Sequence, residues 1–364
     1  MSTAAATTAW TLPHLLGLQD LSAQEMRAVL SRARQYAVGG AGADTASSGE
    51  AASVLRGHVV ANLFFEDSTR TRMSFSLAAR RLGADVLDLS STDSSVNKGE
   101  TIRDTAANVA AMGVGTIVVR HKASGAAALV ARAVGETWGT RVVNAGDGKH
   151  EHPTQGLLDV YTISESFGRL ETFDLSGLKV AIVGDVASSR VARSDIAALT
   201  ALGASVVCVG PPTLVPPSLR VLGCEVCHDL DEVIDKVHAV NVLRIQFERA
   251  GGAGGAGGSG GPHGGTPQPA THPPAAGGWQ AAAAKAGNVV ASVREYAELY
   301  GLSLRRAQRM KRDAIILHPG PINRGVEMTA AVADGEKSVV LRQVGHGVAV
   351  RMAVLELCAS ASAR

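Results

Sequence analysis

HVVANLFFEDSTRTRMSFSLAARRLG (58–83) decides how the rest of the chain is read. Residues 58–65 are a short run rich in Val, Leu and Phe, the pattern of a strand buried on both faces. A helical pattern follows over 71–82 and stops at Gly83, a residue suited to the left-handed position just past a helix end. Between strand and helix stand Ser68, Thr69, Arg70 and Thr71. Ser68 is placed to N-cap the helix. A helix start offers unpaired N–H groups and the positive end of the dipole. Two hydroxyls and a guanidinium at the same point can surround an oxyanion with neutral and charge-assisted donors. A plain cap flanked by surface arginines would use the same residue types. Ser-Thr-Arg-Thr-Arg placed directly after a buried strand tips the reading toward an anion site.

The same strand-then-helix rhythm runs along the chain. TIVVR (116–120), RVVNA (141–145), KVAIVGD (179–185), SVVCVG (205–210), AVNVLRI (239–245) and AIILHPG (314–320) read as further buried strands. A helical pattern over 101–112 ends at Gly113, and Val340, Val344, Val348, Met352 and Leu355 recur at helical spacing near the chain's end. Alternating strands and helices predict an α/β fold of two doubly wound domains, each a central parallel sheet flanked by helices. The length of 364 residues fits two domains at ~150 residues each. We place the first at 1–155, joined by a returning C-terminal helix at about 338–360, and the second at 156–337. Residues 251–278, GGAGGAGGSGGPHGGTPQPATHPPAAGG, are too rich in Gly and Pro to repay their own ordering and read as a flexible insert in the second domain.

Composition excludes several classes of function. Lys plus Arg is 35 against 33 for Asp plus Glu, and aromatics are 4%, which disfavours a dedicated nucleic-acid binder. No basic n-region precedes the first apolar residues and no apolar run is long enough to span a bilayer, so the expectation is a cytoplasmic protein with no membrane partner. Four cysteines are too few for a disulfide scaffold. Cys224-Glu225-Val226-Cys227-His228 matches a haem-attachment pattern, but its strand-like setting in a chain without an export signal favours ordinary buried thiols, and no second cysteine pair exists to complete a zinc site.

Most polar signals fall where predicted strands end: Glu66–Ser68, Arg120, Asn144, Asp185, Arg244 and His318. Ligands of open parallel sheets bind outside the carboxyl ends of strands, so two such edges facing one cleft would gather these residues around one pocket.

FFEDSTRTR (64–72) resembles the carbamoyl-phosphate signature of the aspartate and ornithine carbamoyltransferase family. SSVNKGET (94–101), VVRH (118–121), NAGDGKHEHPTQ (144–155), SRVARS (189–194), LRIQFER (243–249) and HPGPINRGVE (318–327) follow in the family's order. The last two resemble the aspartate branch; ornithine enzymes typically carry His-Cys-Leu-Pro where this chain has His318-Pro319-Gly320-Pro321. Asp67 departs from the family pattern, in which many members have a small residue or proline.

The resemblance implies roles. Ser68, Thr69, Arg70, Thr71 and Arg120 would bind the phosphate of carbamoyl phosphate. Thr71, Arg120 and His152 would bond its carbonyl oxygen, and Gln155 its amino group. Ser94 and Lys98 would reach into a neighbouring subunit's site in a homotrimer. Arg190 and Arg244, helped by Gln246 and Lys98, would hold the two carboxylates of aspartate, and the Gly320 and Pro321 carbonyls would face the incoming amine. Arg70, Thr71, Lys98, Arg120 and His152 are the expected catalytic set, with no metal and no organic cofactor. The implied reaction makes N-carbamoyl-L-aspartate for pyrimidine synthesis. Carbamoyl transfer to ornithine and a catalytically silent scaffold subunit are the alternatives, and regulatory chains or a dihydroorotase subunit are candidate partners. Deleting 251–278 is expected to leave the fold intact and change aspartate affinity modestly, as read by circular dichroism and substrate saturation; complete loss of soluble protein would contradict this.

Overall fold

In the computed structural model, residues 10–37, 51–90, 100–245 and 292–361 are described. They form two five-stranded, wholly parallel sheets. The first sheet contains β1 (His14–Leu15), β2 (Val59–Phe64), β3 (Asp85–Ser90), β4 (Thr116–His121) and β5 (Arg141–Asp147), in the order β1-β5-β4-β2-β3. The second contains β6 (Lys179–Val183), β7 (Ser205–Val209), β8 (Glu225–Cys227), β9 (Ala239–Val242) and β10 (Ile315–Leu317), in the order β10-β9-β6-β7-β8. Central strands are buried along nearly their whole length, as their unbroken apolar runs require. In each sheet the chain winds outward from one strand, then returns to that strand's other side. The reversals lie between β2 and β4 and between β6 and β9, and crevices form at such points.

The helices are α1 (Ala23–Ala37), α2 (Thr69–Arg81), α3 (Ile102–Ala111), α4 (Ala126–Trp138), α5 (Pro153–Ser166), α6 (Arg190–Ala201), α7 (Val293–Tyr300), α8 (Leu304–Arg309), α9 (Ala330–Ala333) and α10 (Val340–Ser360). Helix α5 is buried on every side from Pro153 to Ser164, so it lies inside the molecule rather than on its surface. It contributes Leu157 and Tyr161 to one core cluster that also takes in Phe75, Val118 and Val143 from the first sheet's side and Ile182 and Leu199 from the second's.

Helix α10 returns to pack against α1, α2 and α5. Of the apolar residues recurring at helical spacing, Met352 and Leu355 are buried and Val348 packs against the core, but polar residues share the inward face. Val344 is 47% exposed, while Gln343, Gly347 and Arg351 are buried. Polar residues turn inward here because they have partners there, described below.

Edge strands were the elements hardest to anticipate. β3, DVLDLS, is an edge strand that mixes Asp85, Asp88 and Ser90 among its apolar residues, so it lacks the apolar run of a central strand. β1 and β8 are two and three residues long. The CxxCH segment spans β8: Cys224 is buried, Cys227 half-buried, and no cluster of three metal-binding side chains occurs among the described residues.

Leu355 on α10 is fully buried in the shared core. Leu355→Ala is expected to lower unfolding free energy by about 2–5 kcal/mol in urea titration, the usual cost of a buried leucine cavity; a change below about 0.5 kcal/mol would mean that α10 does not pack there in solution.

Candidate active site

A cavity of about 110 Å³ opens between the carboxyl edges of the two sheets. Three helix N-termini meet it: Ser68–Thr71 at α2, His152 and Gln155 at α5, and Ser189–Val191 at α6. Each helix start brings orphan N–H groups and a positive dipole end. Ser68 stands at the N-cap position of α2, but its hydroxyl does not cap; it donates to Thr71 Oγ1 at 2.9 Å. His152 stands at the N-cap position of α5 without a side-chain capping bond, and Pro153 takes the first helical position, where a missing N–H costs nothing. Ser189 caps α6 conventionally, accepting from the Ala192 N–H.

Four guanidiniums line the same space: Arg70, Arg120, Arg190 and Arg244. Arg120 lies where the β4–β5 register shifts, an irregularity of the kind that re-aims a side chain at a strand end. Glu66, at the end of β2, compensates part of this charge. Its carboxylate accepts from Arg190 Nη1 and Nη2, both at 2.8 Å, and from Arg120 Nη2 at 3.2 Å. The paired fork geometry with Arg190 is the strong form of such a contact. Gly146 makes room for it. With φ at +112°, its absent Cβ would come within 2.8 Å of Arg190 Nε and 3.1 Å of Arg120 Nη1.

On the far wall, the Pro319 carbonyl accepts from Arg70 Nη2 at 2.9 Å. Gly320, with φ at +62° before a cis peptide bond to Pro321, leaves the space that the Arg70 guanidinium occupies. The turn is fixed from within. Gly320 N–H donates to His318 Nδ1 at 2.7 Å, His318 Nε2 faces Glu327 Oε1 at 3.3 Å, and His318 N–H donates to Gln343 Oε1.

Ser68, Arg70, Thr71, Arg120, His152, Gln155, Arg190, Arg244 and Gly320 therefore share one cavity. Thr69 is exposed, and neither its side chain nor Pro321 is part of the lining. Ser94, Lys98, Gln246 and the 251–278 insert lie outside the described residues. Asp67 is exposed and forms no ion pair with a described arginine. Asp185, Ser188 and Pro319 also line the cavity, and Glu66 organises it. Sequence reading placed Glu66 and Asp185 at strand ends without assigning either a task; the Glu66-Asp67 pair before Ser-Thr-Arg-Thr was the available signal for Glu66.

Two comparisons place this geometry among known proteins. The family model for the aspartate/ornithine carbamoyltransferase carbamoyl-P binding domain matches residues 13–165, and that for the Asp/Orn binding domain matches 279–358. The aspartate carbamoyltransferase catalytic subunit of Myxococcus xanthus is 48% identical over 345 residues, covering 95% of this chain and 99% of that protein. The chain belongs to the aspartate/ornithine carbamoyltransferase family.

Other members agree. The aspartate carbamoyltransferase catalytic subunit of Thermobifida fusca is 44% identical over 95% of both chains. The fold also matches solved members of the family. Ornithine carbamoyltransferase from Pyrococcus furiosus aligns with a TM-score of 0.74 at 25% identity, over 97% of this chain and 98% of that one. Aspartate transcarbamoylase from Trypanosoma cruzi, in complex with carbamoyl aspartate and phosphate, aligns at 0.72 and 25% over 97% of both.

His152 has the most altered protonation of the cavity residues. Burial, then the charges of Arg120, Arg190 and Arg351, push it well below its ordinary 6.5, so the ring is neutral. An unfolded chain takes up a proton near pH 6.5 that the folded imidazole refuses. This contribution to stability is complete above pH 6.5 and is lost as pH falls toward the depressed folded value. His152→Gln should flatten the decline of melting temperature between pH 6.5 and 5. An unchanged acid slope would mean that His152 is not held neutral.

Proposed function

We infer that this chain transfers the carbamoyl group of carbamoyl phosphate to the α-amine of L-aspartate, giving N-carbamoyl-L-aspartate and phosphate, the reaction that feeds pyrimidine synthesis. The observation that carries the reading is the convergence of Arg190 and Arg244, from one sheet's edge, on the same cavity as Ser68, Arg70, Thr71 and Arg120 from the other's. The identity to aspartate carbamoyltransferase catalytic subunits across nearly the whole chain supports it.

In this reading the α2 N-terminus, Arg70 and Arg120 hold the phosphate, with Ser68 and Thr69 as further donors. Thr71, Arg120 and neutral His152 surround the carbonyl oxygen, which gains negative charge when the amine attacks. A neutral imidazole acts there as a hydrogen-bond donor, not as a base. Arg190 and Arg244 take the two carboxylates of aspartate, with Gln246 beside them. The Gly320 and Pro321 carbonyls orient the amine. The new N–C bond forms as the C–O bond to phosphate breaks, and the departing phosphate takes up the amine proton. Orientation of two anionic substrates and stabilisation of the developing charge supply the acceleration.

The substrate sites divide along the chain: carbamoyl phosphate with 1–155 and the helix at about 338–360, aspartate with 156–337. We further propose that the active unit is a cytoplasmic homotrimer in which Ser94 and Lys98 complete the neighbouring subunit's site.

Arg244→Ala is expected to raise the KM for aspartate about 100-fold, the loss of a charge-assisted pair, while carbamoyl phosphate binding is unchanged. An assay for carbamoyl aspartate, paired with calorimetric titration of carbamoyl phosphate, measures both. Equal loss of both substrates, or wild-type protein that forms no carbamoyl aspartate, would refute the reading.

A further inference from the structure

Behind the cavity, four elements send polar side chains into a buried knot. Asp159 on α5 is 1% exposed and stands one turn beyond Gln155. Its Oδ1 accepts from Gln155 Nε2 at 2.9 Å and from Gln343 Nε2 of α10 at 2.6 Å, and its Oδ2 accepts from Asn241 Nδ2 of β9 at 3.1 Å. The same Asn241 nitrogen donates to Asp195 Oδ2 of α6 at 2.8 Å. Asp195 Oδ1 is buried and meets no N–H or O–H donor. Burial pushes Asp159 up to about 7, and burial with the neighbouring Asp159 drives Asp195 well above the usual carboxylate range.

The consequence reaches the cavity that Gln155 lines. Gln343 presents its NH₂ to the same Asp159 Oδ1 because its own oxygen takes the His318 N–H, so that Oδ1 acts as an acceptor and the Gln155 amide turns its NH₂ inward and its carbonyl oxygen outward. An outward oxygen accepts; it cannot donate. Gln343 is held in the same sense, with its NH₂ on Asp159 and its oxygen on the His318 N–H at the base of the Pro319–Gly320 turn.

We propose that Asp159, which takes the NH₂ groups of both Gln155 and Gln343, is the positioning residue that fixes the Gln155 carbonyl oxygen outward and thereby makes the site select a carbamoyl phosphate, which carries an NH₂, over an acyl phosphate, which carries a methyl. This rests on the function proposed above and deepens it: it assigns the selection to a residue that does not touch substrate.

Equilibrium binding of carbamoyl phosphate and of acetyl phosphate to the full-length protein tests it. The two ligands share a phosphate and a carbonyl and differ at the group facing Gln155. Wild type is expected to prefer carbamoyl phosphate by about tenfold or more, the worth of one good hydrogen bond set against an unpaired acceptor. In Asp159→Asn the Gln155 amide is free to turn, so the preference should fall to within about threefold while acetyl phosphate affinity stays near wild type. A merely structural role would weaken both ligands alike and keep their ratio; that result, or a preserved preference, overturns the proposal. Asp195→Asn provides the second arm if Asp159→Asn does not fold. Asn keeps an oxygen to accept from Asn241 and leaves Asp159 in place, so the preference should persist, and its loss in folded protein overturns the proposal. Wild type that binds neither ligand would instead refute the functional reading itself.

Discussion

Glu66 sits between Arg120 and Arg190 and makes the rest of the site possible. Four guanidiniums and three helix N-termini around one cavity would repel one another if left without an anion. One carboxylate, bonded in a fork to Arg190 and singly to Arg120, ties a cation from the edge of each sheet to the same point. Both arginines are largely buried, with 11% and 6% of their side-chain surface exposed, so this contact is shielded from the water and salt that weaken surface pairs. The positive charge left over is what two anionic substrates would complete.

The fold places these groups without local strain in most cases. Each parallel sheet reverses its winding once, and each reversal opens a crevice at the strands' carboxyl ends. Ser68–Thr71 and Arg120 belong to one reversal, Asp185 and Arg244 to the other. The wholly buried α5 runs between the two layers, with His152 and Gln155 at its start and Asp159 a turn deeper. Its position accounts for how a residue without access to solvent can govern one that faces the cavity.

Much of this was legible in the chain. Buried central strands announce themselves as runs of Val, Ile and Leu, and the Ser-Thr-Arg-Thr turn after β2 names its own chemistry. The edges were harder to read: β3 lies at the edge of its sheet and mixes Asp85, Asp88 and Ser90 among its apolar residues, so it lacks a continuous apolar run. The polar residues on the inward face of α10 were out of reach for a different reason. Gln343 and Arg351 are buried because partners lie opposite them, Asp159 for one and Ser74 for the other, and pairings across more than 180 residues leave no local trace. Glu66 shows the same limit. Its position at a strand end could be read, but its two arginine partners come from β4 and α6 and emerge only when the sheets face each other.

The most direct measurement of the central claim is a crystal structure of the protein with phosphate and carbamoyl aspartate bound. The account requires phosphate at the α2 N-terminus within hydrogen-bond distance of Arg120, and the two carboxylates of carbamoyl aspartate on Arg190 and Arg244, all within the one cavity. Products seated elsewhere, or carboxylates that meet neither guanidinium, would contradict it.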